Sequence, residues 1–301
     1  MIRPPNPSGV LFVNTGGSDP VVVVAWEAAL RRTEMFSGLS NHYDMMFMDI
    51  RGTYGSNMIS LSLDAVAALP PTYPQNESEY SQYKKGSAAF FQSWIDNSSP
   101  PGILQFVSTK EVVQDYEQIR KALGYRKIHF LGESYGTYWG YQYGLAFPDR
   151  VGNFALDSGV PHGMRDETGI GMTVTWELQL ACSGWPFPEA PETSDPNPHK
   201  MLFVTADYDA DSPTEWTTYI WEKQARRSAM LVRHGDGHVS FQLPNHPSSL
   251  ITKEFLRSGR LPEARNGTIV SVYSPGTRRD PIPDPYLVQT GTMGGEIESN
   301  N

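Results

Sequence analysis

Strand-length apolar runs alternate with longer amphipathic stretches along most of the chain, the pattern of a mostly parallel sheet with helices on both faces. Residues 9–13 read as a buried strand, followed by the loop Asn14-Thr15-Gly16-Gly17-Ser18-Asp19-Pro20 and a helix over about 23–36. YDMMFMDI, residues 43–50, is the next strand, and Arg51-Gly52-Thr53-Tyr54-Gly55 after it is turn chemistry. Prolines break up residues 56–106, where only 80–95 has helical periodicity. A helix is predicted over 108–123, with Ser108 and Glu111 at capping-box spacing and Gly124 at the C-terminal stop. Strands are then expected at 127–131, 153–156, 200–205 and 229–233, and helices at 135–147, from Pro213, and at 248–256. Ser212 and Glu215 are spaced as a second capping box. The expected layout is one α/β domain over 1–265 and a Gly/Pro/Thr-rich tail over 266–301, with one β-prone stretch at 268–273.

Composition narrows the function classes. A chain of 301 residues, 39% hydrophobic and 19% charged, can bury a large core. Its net charge of −9 and lack of a basic block argue against a nucleic-acid partner. No apolar run approaches the roughly 18 residues of a membrane span, so no membrane partner is expected. Cys182 is the lone cysteine, which excludes an intrachain disulfide and fits a reducing compartment. The N-terminal MIRPPNPSGVLFVN lacks the apolar region of a signal peptide. The expectation is a cytoplasmic protein, with a secreted one as the alternative if a leader has been removed.

The chemistry begins at Gly132-Glu133-Ser134-Tyr135-Gly136. G-x-S-x-G alone is a weak signal, but here a predicted strand ends directly before it and a predicted helix starts directly after it. That context is a nucleophile elbow: a strained turn lifts the serine hydroxyl out of the sheet and points the next amide, that of Tyr135, at a developing oxyanion. Ser134 is therefore the candidate nucleophile.

In such a fold the acid follows a later strand and the histidine follows the last one. After the strand at 200–205 stands Ala206-Asp207-Tyr208-Asp209-Ala210-Asp211-Ser212-Pro213. The residues alone leave Asp207, Asp209 and Asp211 open. The D-x-D-x-D spacing also resembles the start of a calcium loop, but Ser212-Pro213 replaces the glycine turn and no glutamate occupies the twelfth position. No metal or other cofactor is expected. After the strand at 229–233 stands His234-Gly235-Asp236-Gly237-His238. His238 is the candidate base because it lies well past the strand end. His234 abuts the strand and reads as structural, and His246 on a polar loop reads as solvated.

GESYGTYWGYQYGLAFPDRVGNFALDSGV resembles the elbow, helix and following strand of tripeptidyl-aminopeptidase-like (TAP-like) α/β-hydrolases, relatives of the prolyl aminopeptidases. The likeness extends to NTGG, YDMMFMDIRGTYGS, STKEVVQDYEQIRKALG, ACSGWPF, MLFVTADYDADSPTEWT and GDGHVS. It implies Asp209 as the acid, four residues before the proline of a D-x-x-S-P run, His238 as the base, and Gly16 and Gly17 with Tyr135 as the oxyanion hole. Glu133 follows a pattern that binds a substrate carboxylate in serine carboxypeptidases; a buried glutamate held by backbone amides is the competing reading. Compared with the family, the helical lid is reduced to a remnant at about 160–190, the glycine loop is shortened, and two leading strands are missing. The tail or a second copy of the chain is then expected to cover a sheet edge. Trp176 and Trp185, in and beside the remnant, are candidate substrate contacts. The function implied is hydrolysis of an acyl bond in a small molecule or short peptide. Acyl transfer, cyclisation or lyase chemistry on the same residues is the alternative, and a non-catalytic binding protein on the same fold is a third reading.

Overall fold

The structure, a computed structural model, describes residues 1–17, 20–70, 73–161, 186–187, 197–224, 228–263 and 269–273. The chain divides into two compact units, one of residues 1–48, 115–168 and 192–301 and the other of residues 49–114 and 169–191.

The first unit holds a seven-stranded sheet. Its elements are β1 (Val10–Asn14), α1 (Val21–Ala29), β2 (Asp44–Phe47), β3 (Ile128–Glu133), α5 (Tyr135–Ala146), β4 (Val151–Asp157), β5 (Met201–Tyr208), α6 (Thr214–Glu222), β6 (Ala229–Asp236), α7 (Pro247–Ser258) and β7 (Ile269–Tyr273). The strand order is β2-β1-β3-β4-β5-β6-β7, and every pairing between these strands is parallel. A parallel sheet buried on both faces needs continuous apolar strands, and Val10–Asn14 and Met201–Ala206 are buried throughout. The second unit holds α2 (Leu63–Ala67) and α3 (Glu77–Asn97), and the division between the units falls within α4 (Thr109–Leu123).

One face of the sheet packs Leu11, Met45, Leu131, Leu202 and Leu231 against Phe36, Leu39, Tyr43, Phe255 and Leu256. On another set of strand positions aromatic rings run in series. Phe12 meets Tyr116 at 5.6 Å, Tyr116 meets Phe130 at 5.5 Å, and Phe130 meets Phe154 at 5.5 Å.

Several local expectations change. α1 starts at Val21 and stops at Ala29, short of the expected 23–36. α3 extends the expected 80–95 helix at both ends, with Asn76 Oδ1 accepting from the Glu79 amide. Ser108 and Glu111 do meet, but hydroxyl to carboxylate rather than through reciprocal backbone caps. Ser212 does not cap α6: Pro213 takes the N-cap position without a side-chain bond, and the Ser212 amide donates to Asp209 instead. His246 is not solvated. It is buried, and its Nδ1 accepts from the Ser248 amide as the N-cap of α7.

The two sheet edges are treated differently. The β-prone stretch of the tail forms β7 and adds beside β6, so it lies at the opposite edge from β2. At the β2 edge an antiparallel bridge joins Ile2 to Met45, with N–H···O distances of 2.9 and 2.8 Å, and Arg3 bonds the buried Asp44. No helix among the described residues is long and apolar enough to cross a membrane.

Candidate active site

β3 delivers Ser134 at its C-terminal end, and α5 begins one residue later. Ser134 has φ 51° and ψ −126°, a backbone conformation that L-residues seldom adopt and that costs of order 1–3 kcal/mol. Neighbouring glycines make room for this turn. A Cβ on Gly132 would stand 2.6 Å from the Gly136 carbonyl oxygen, and one on Gly136 would run into the Asn14 carbonyl. The Ser134 amide donates to the Asp157 carbonyl at 2.9 Å, which pins the elbow to β4.

The glycine loop approaches closely from β1. Gly16 has φ +91°, and a Cβ there would meet Ser134 Cβ at 2.8 Å and the Tyr135 amide nitrogen at 3.1 Å. Asn14 holds this loop through its Oδ1, which accepts from the Gly16 amide, and its Nδ2 donates to the buried Tyr116 hydroxyl. Gly16 and the Tyr135 amide thus share the space at the elbow. Gly17 is exposed, with open space where a side chain would be. The Tyr135 ring is also exposed and packs on Tyr138 and Trp139.

The three aspartates separate cleanly. Asp209 is buried, and its two oxygens lie 3.0 and 2.9 Å from His238 Nδ1. Its Oδ1 also accepts the amides of Asp211 and Ser212 at 2.9 and 2.8 Å. Asp207 instead pairs with His234 Nδ1 at 2.7 Å and accepts the Gly235 amide. Asp211 is exposed. The irregularity in pairing between Ala206 and Tyr208 accompanies the divergence of Asp207 and Asp209 toward different histidines. Asp209, Asp211 and His238 bring ligand atoms within 4.8 Å of one another. With Asp209 engaged by an imidazole and two amides, this is a hydrogen-bonded carboxylate–imidazole pair with an exposed neighbour rather than a prepared metal site.

Electrostatics follow the contacts. Burial pushes His238 down, but the Asp209 hydrogen bond and charge, helped by Asp211 and Asp157, hold it above the ordinary histidine value. Burial likewise pushes Asp209 up, and bonds from His238 and the Ser212 amide hold it below the ordinary aspartate value.

His238 belongs to a loop that leaves β6 and reaches back across the sheet. Gln242 Nε2 donates to Glu133, the residue before Ser134, at 2.9 Å. The Phe241 amide donates to Asp157 at 2.6 Å, and the Val239 amide to Ser158 Oγ at 3.1 Å. Arg233 fastens the near side, with Nε on Ser240 Oγ and its two terminal nitrogens on the carbonyls of Asp236 and Gly237. Val239, a β-branched residue, sits at φ +60°, so the loop is held in a strained form by these bonds. Sequence reasoning missed Asp157, Ser158, Arg233 and Gln242. A buried arginine ending the apolar run AMLVR was the one visible hint. Glu133 is fully buried and bonded to a glutamine side chain, so it is neither a surface for substrate nor a carboxylate held by backbone amides. Trp176 and Trp185, with most of the lid remnant, lie outside the described residues.

Residues 167–268, which include Asp209 and His238, match the family model described as TAP-like protein. A tripeptidyl aminopeptidase of Streptomyces lividans is 29% identical over 155 residues, half of this chain and 28% of that enzyme. Over these spans the chain is similar to TAP-like α/β-hydrolases. Serine protease Hip1 of Mycobacterium tuberculosis is 46% identical over 57 residues, 19% of this chain and 11% of that protein. The matches to these curated relatives thus span well under two thirds of the relatives' length. Among solved structures, an alpha/beta hydrolase fold protein from Chitinophaga pinensis has 13% identity and a TM-score of 0.49, over 86% of this chain and 92% of that one. The strand-elbow-helix unit lies outside the span matched by the family model, while Asp209 and His238 lie inside it.

Proposed function

We propose that this protein is a serine hydrolase that cleaves an acyl bond through an acyl-enzyme on Ser134. The observation that carries the reading is the Asp209–His238 contact at 2.9 Å, on a loop tied to the residue before the strained Ser134. Asp209 holds the proton on His238 Nδ1, which leaves Nε2 to accept the Ser134 hydroxyl proton as Oγ attacks the substrate carbonyl carbon. The amides of Tyr135 and Gly17 then receive the negative oxygen, since the Gly16 amide is already given to Asn14 Oδ1. His238 returns its proton to the leaving group, and the same groups, with water as the attacking species, release the acid and restore Ser134.

The family contains peptidases by name, and a short peptide is one substrate class. Next to the family it resembles, the sequence has only about residues 160–181 in place of the large helical lid that supplies groups for a free amino terminus. Uncharged acyl esters are therefore the preferred substrates in this reading. A fluorophosphonate probe should label the wild type and not Ser134→Ala, and that variant should lose roughly 10³-fold or more in kcat. A panel of nitrophenyl esters and tripeptide nitroanilides then ranks the substrates. Equal labelling of both proteins would overturn the mechanism; faster turnover of the tripeptides would overturn the substrate class alone.

A further inference from the structure

Glu133 and Asp157 are paired across the last register position of β3 and β4, about 5 Å apart at the backbone. Both side chains have no exposed surface. Each uses one oxygen on the His238 loop: Glu133 Oε2 accepts from Gln242, and Asp157 Oδ2 accepts the Phe241 amide. Each leaves the other oxygen, Glu133 Oε1 and Asp157 Oδ1, without a hydrogen-bond partner among the described residues.

Two ionised carboxylates in such a place need a bonded cation, and none is supplied among the described residues. Arg233 is the buried cation within electrostatic reach, and its guanidinium is taken by Ser240, Asp236 and Gly237. His238 faces both acids from the same loop but bonds Asp209. The flanking strands present uncharged groups, Asn14 beside Gly132 and Val204 beside Asp157. One proton kept on the pair removes the repulsion and gives the orphan oxygens a donor and an acceptor.

We propose that Glu133 and Asp157 are positioning residues for His238, a neutral carboxylic acid on Glu133 beside a carboxylate on Asp157, which together hold residues 240–242 beneath the base. Asp157 also holds the elbow through its carbonyl, so the pair sets the nucleophile and the base loop against the same strand end. The inference rests on the serine-hydrolase reading above. Its consequence is an upper pH limit on activity. Burial first, and then the neighbouring Asp157 charge, raise Glu133 to about 8 against the opposing Gln242 bond. Above that pH a second buried charge appears under the loop, and the loop loses its seat.

The test measures the rate of fluorophosphonate labelling from pH 5 to 10 in the wild type and in Glu133→Gln, an isostere of the neutral acid. The wild-type rate should rise through the His238 titration and then fall about tenfold per pH unit above an inflection near 8. Glu133→Gln should match the wild type within threefold at pH 7, keep the rising limb, and lose the fall. An unchanged fall in the variant, or a rising limb displaced downward by half a pH unit, would overturn the proposal. The displacement would mean that Glu133 was already charged. Absence of labelling in the wild type would instead defeat the serine mechanism. Melting temperatures give a readout independent of activity. A neutral buried acid binds its proton more tightly folded than unfolded, so wild-type stability relative to Glu133→Gln should fall from about pH 5 to about pH 8 and then level. A constant difference across that range would also refute it.

Discussion

Replacing Asp209 with asparagine changes one oxygen to an NH₂ group, and the surrounding bonds dictate which one. Oδ1 accepts the amides of Asp211 and Ser212, both of which can only donate. The asparagine oxygen must take that position, which puts Nδ2 where Oδ2 stood, 2.9 Å from His238 Nδ1. A donor there opposes a proton on Nδ1, and Oδ1, 3.0 Å from Nδ1, is already shared by two amides, so the neutral imidazole shifts toward the form with its proton on Nε2, which cannot receive the proton of Ser134. Flipping the amide would bury two donor–donor clashes against the backbone, so the side chain cannot escape by rotation. A forced wrong tautomer in a serine triad costs about 10⁴ in kcat, or about 5.4 kcal/mol of barrier. The rising limb of the pH profile should move as well. Asp209 is the main influence holding His238 above its ordinary value of 6.5, against burial that pushes it down. In the wild type kcat/KM should therefore rise with an inflection above 6.5, and in Asp209→Asn the inflection should drop below it. Initial rates on a nitrophenyl ester from pH 5 to 9, for Asp209→Asn, Asp207→Asn and Asp211→Asn, decide the matter. Asp211→Asn should cost less than tenfold because its side chain is exposed. A larger loss at Asp211 than at Asp209, or an Asp209→Asn enzyme within tenfold of wild type, would refute the assignment.

The strain at Ser134 predicts that Ser134→Gly melts higher than Ser134→Ala, by about 1 kcal/mol in stability, since only glycine adopts φ 51°, ψ −126° freely; equal melting temperatures would show that the elbow stores no strain. His246→Ala removes the side chain that accepts the Ser248 amide, and should cost about 1 kcal/mol in urea unfolding while leaving kcat within twofold.

The elbow was readable because it rests on steric exclusion. A strand, two glycines flanking Ser134 and a helix leave few other ways to turn the chain, and the contacts at Gly132 and Gly136 show why no side chain fits. The candidate base was chosen for its distance past a strand, although β6 runs on through His234 to Asp236 and the loop is shorter than its sequence suggests. The choice among Asp207, Asp209 and Asp211 was not readable from the residues. It depends on a break in pairing between β5 and β6, which redirects side chains within three residues and leaves no mark in composition. Only the likeness to TAP-like sequences separated them. His246 was misread because a histidine before a proline looks like a loop residue, although proline at the first helical position also marks a cap one residue earlier.

Asp157 and Ser158 escaped sequence reasoning because their work is relational. The Asp157 carbonyl holds Ser134, and its carboxylate holds the base loop. Ser158 accepts the Val239 amide through Oγ and helps lower the Asp209 pKa, while its own amide donates to the Val204 carbonyl on β5. Two consecutive residues at the end of β4 thereby touch the segments carrying the candidate nucleophile, acid and base. In a parallel sheet those segments leave β3, β5 and β6, so β4 is the strand that lies between the first and the other two. Position in the strand order, more than any motif, makes its C-terminal end the place where the three groups are held together. A substitution that shifts this end should disturb all three groups at once, although neither residue belongs to the candidate triad.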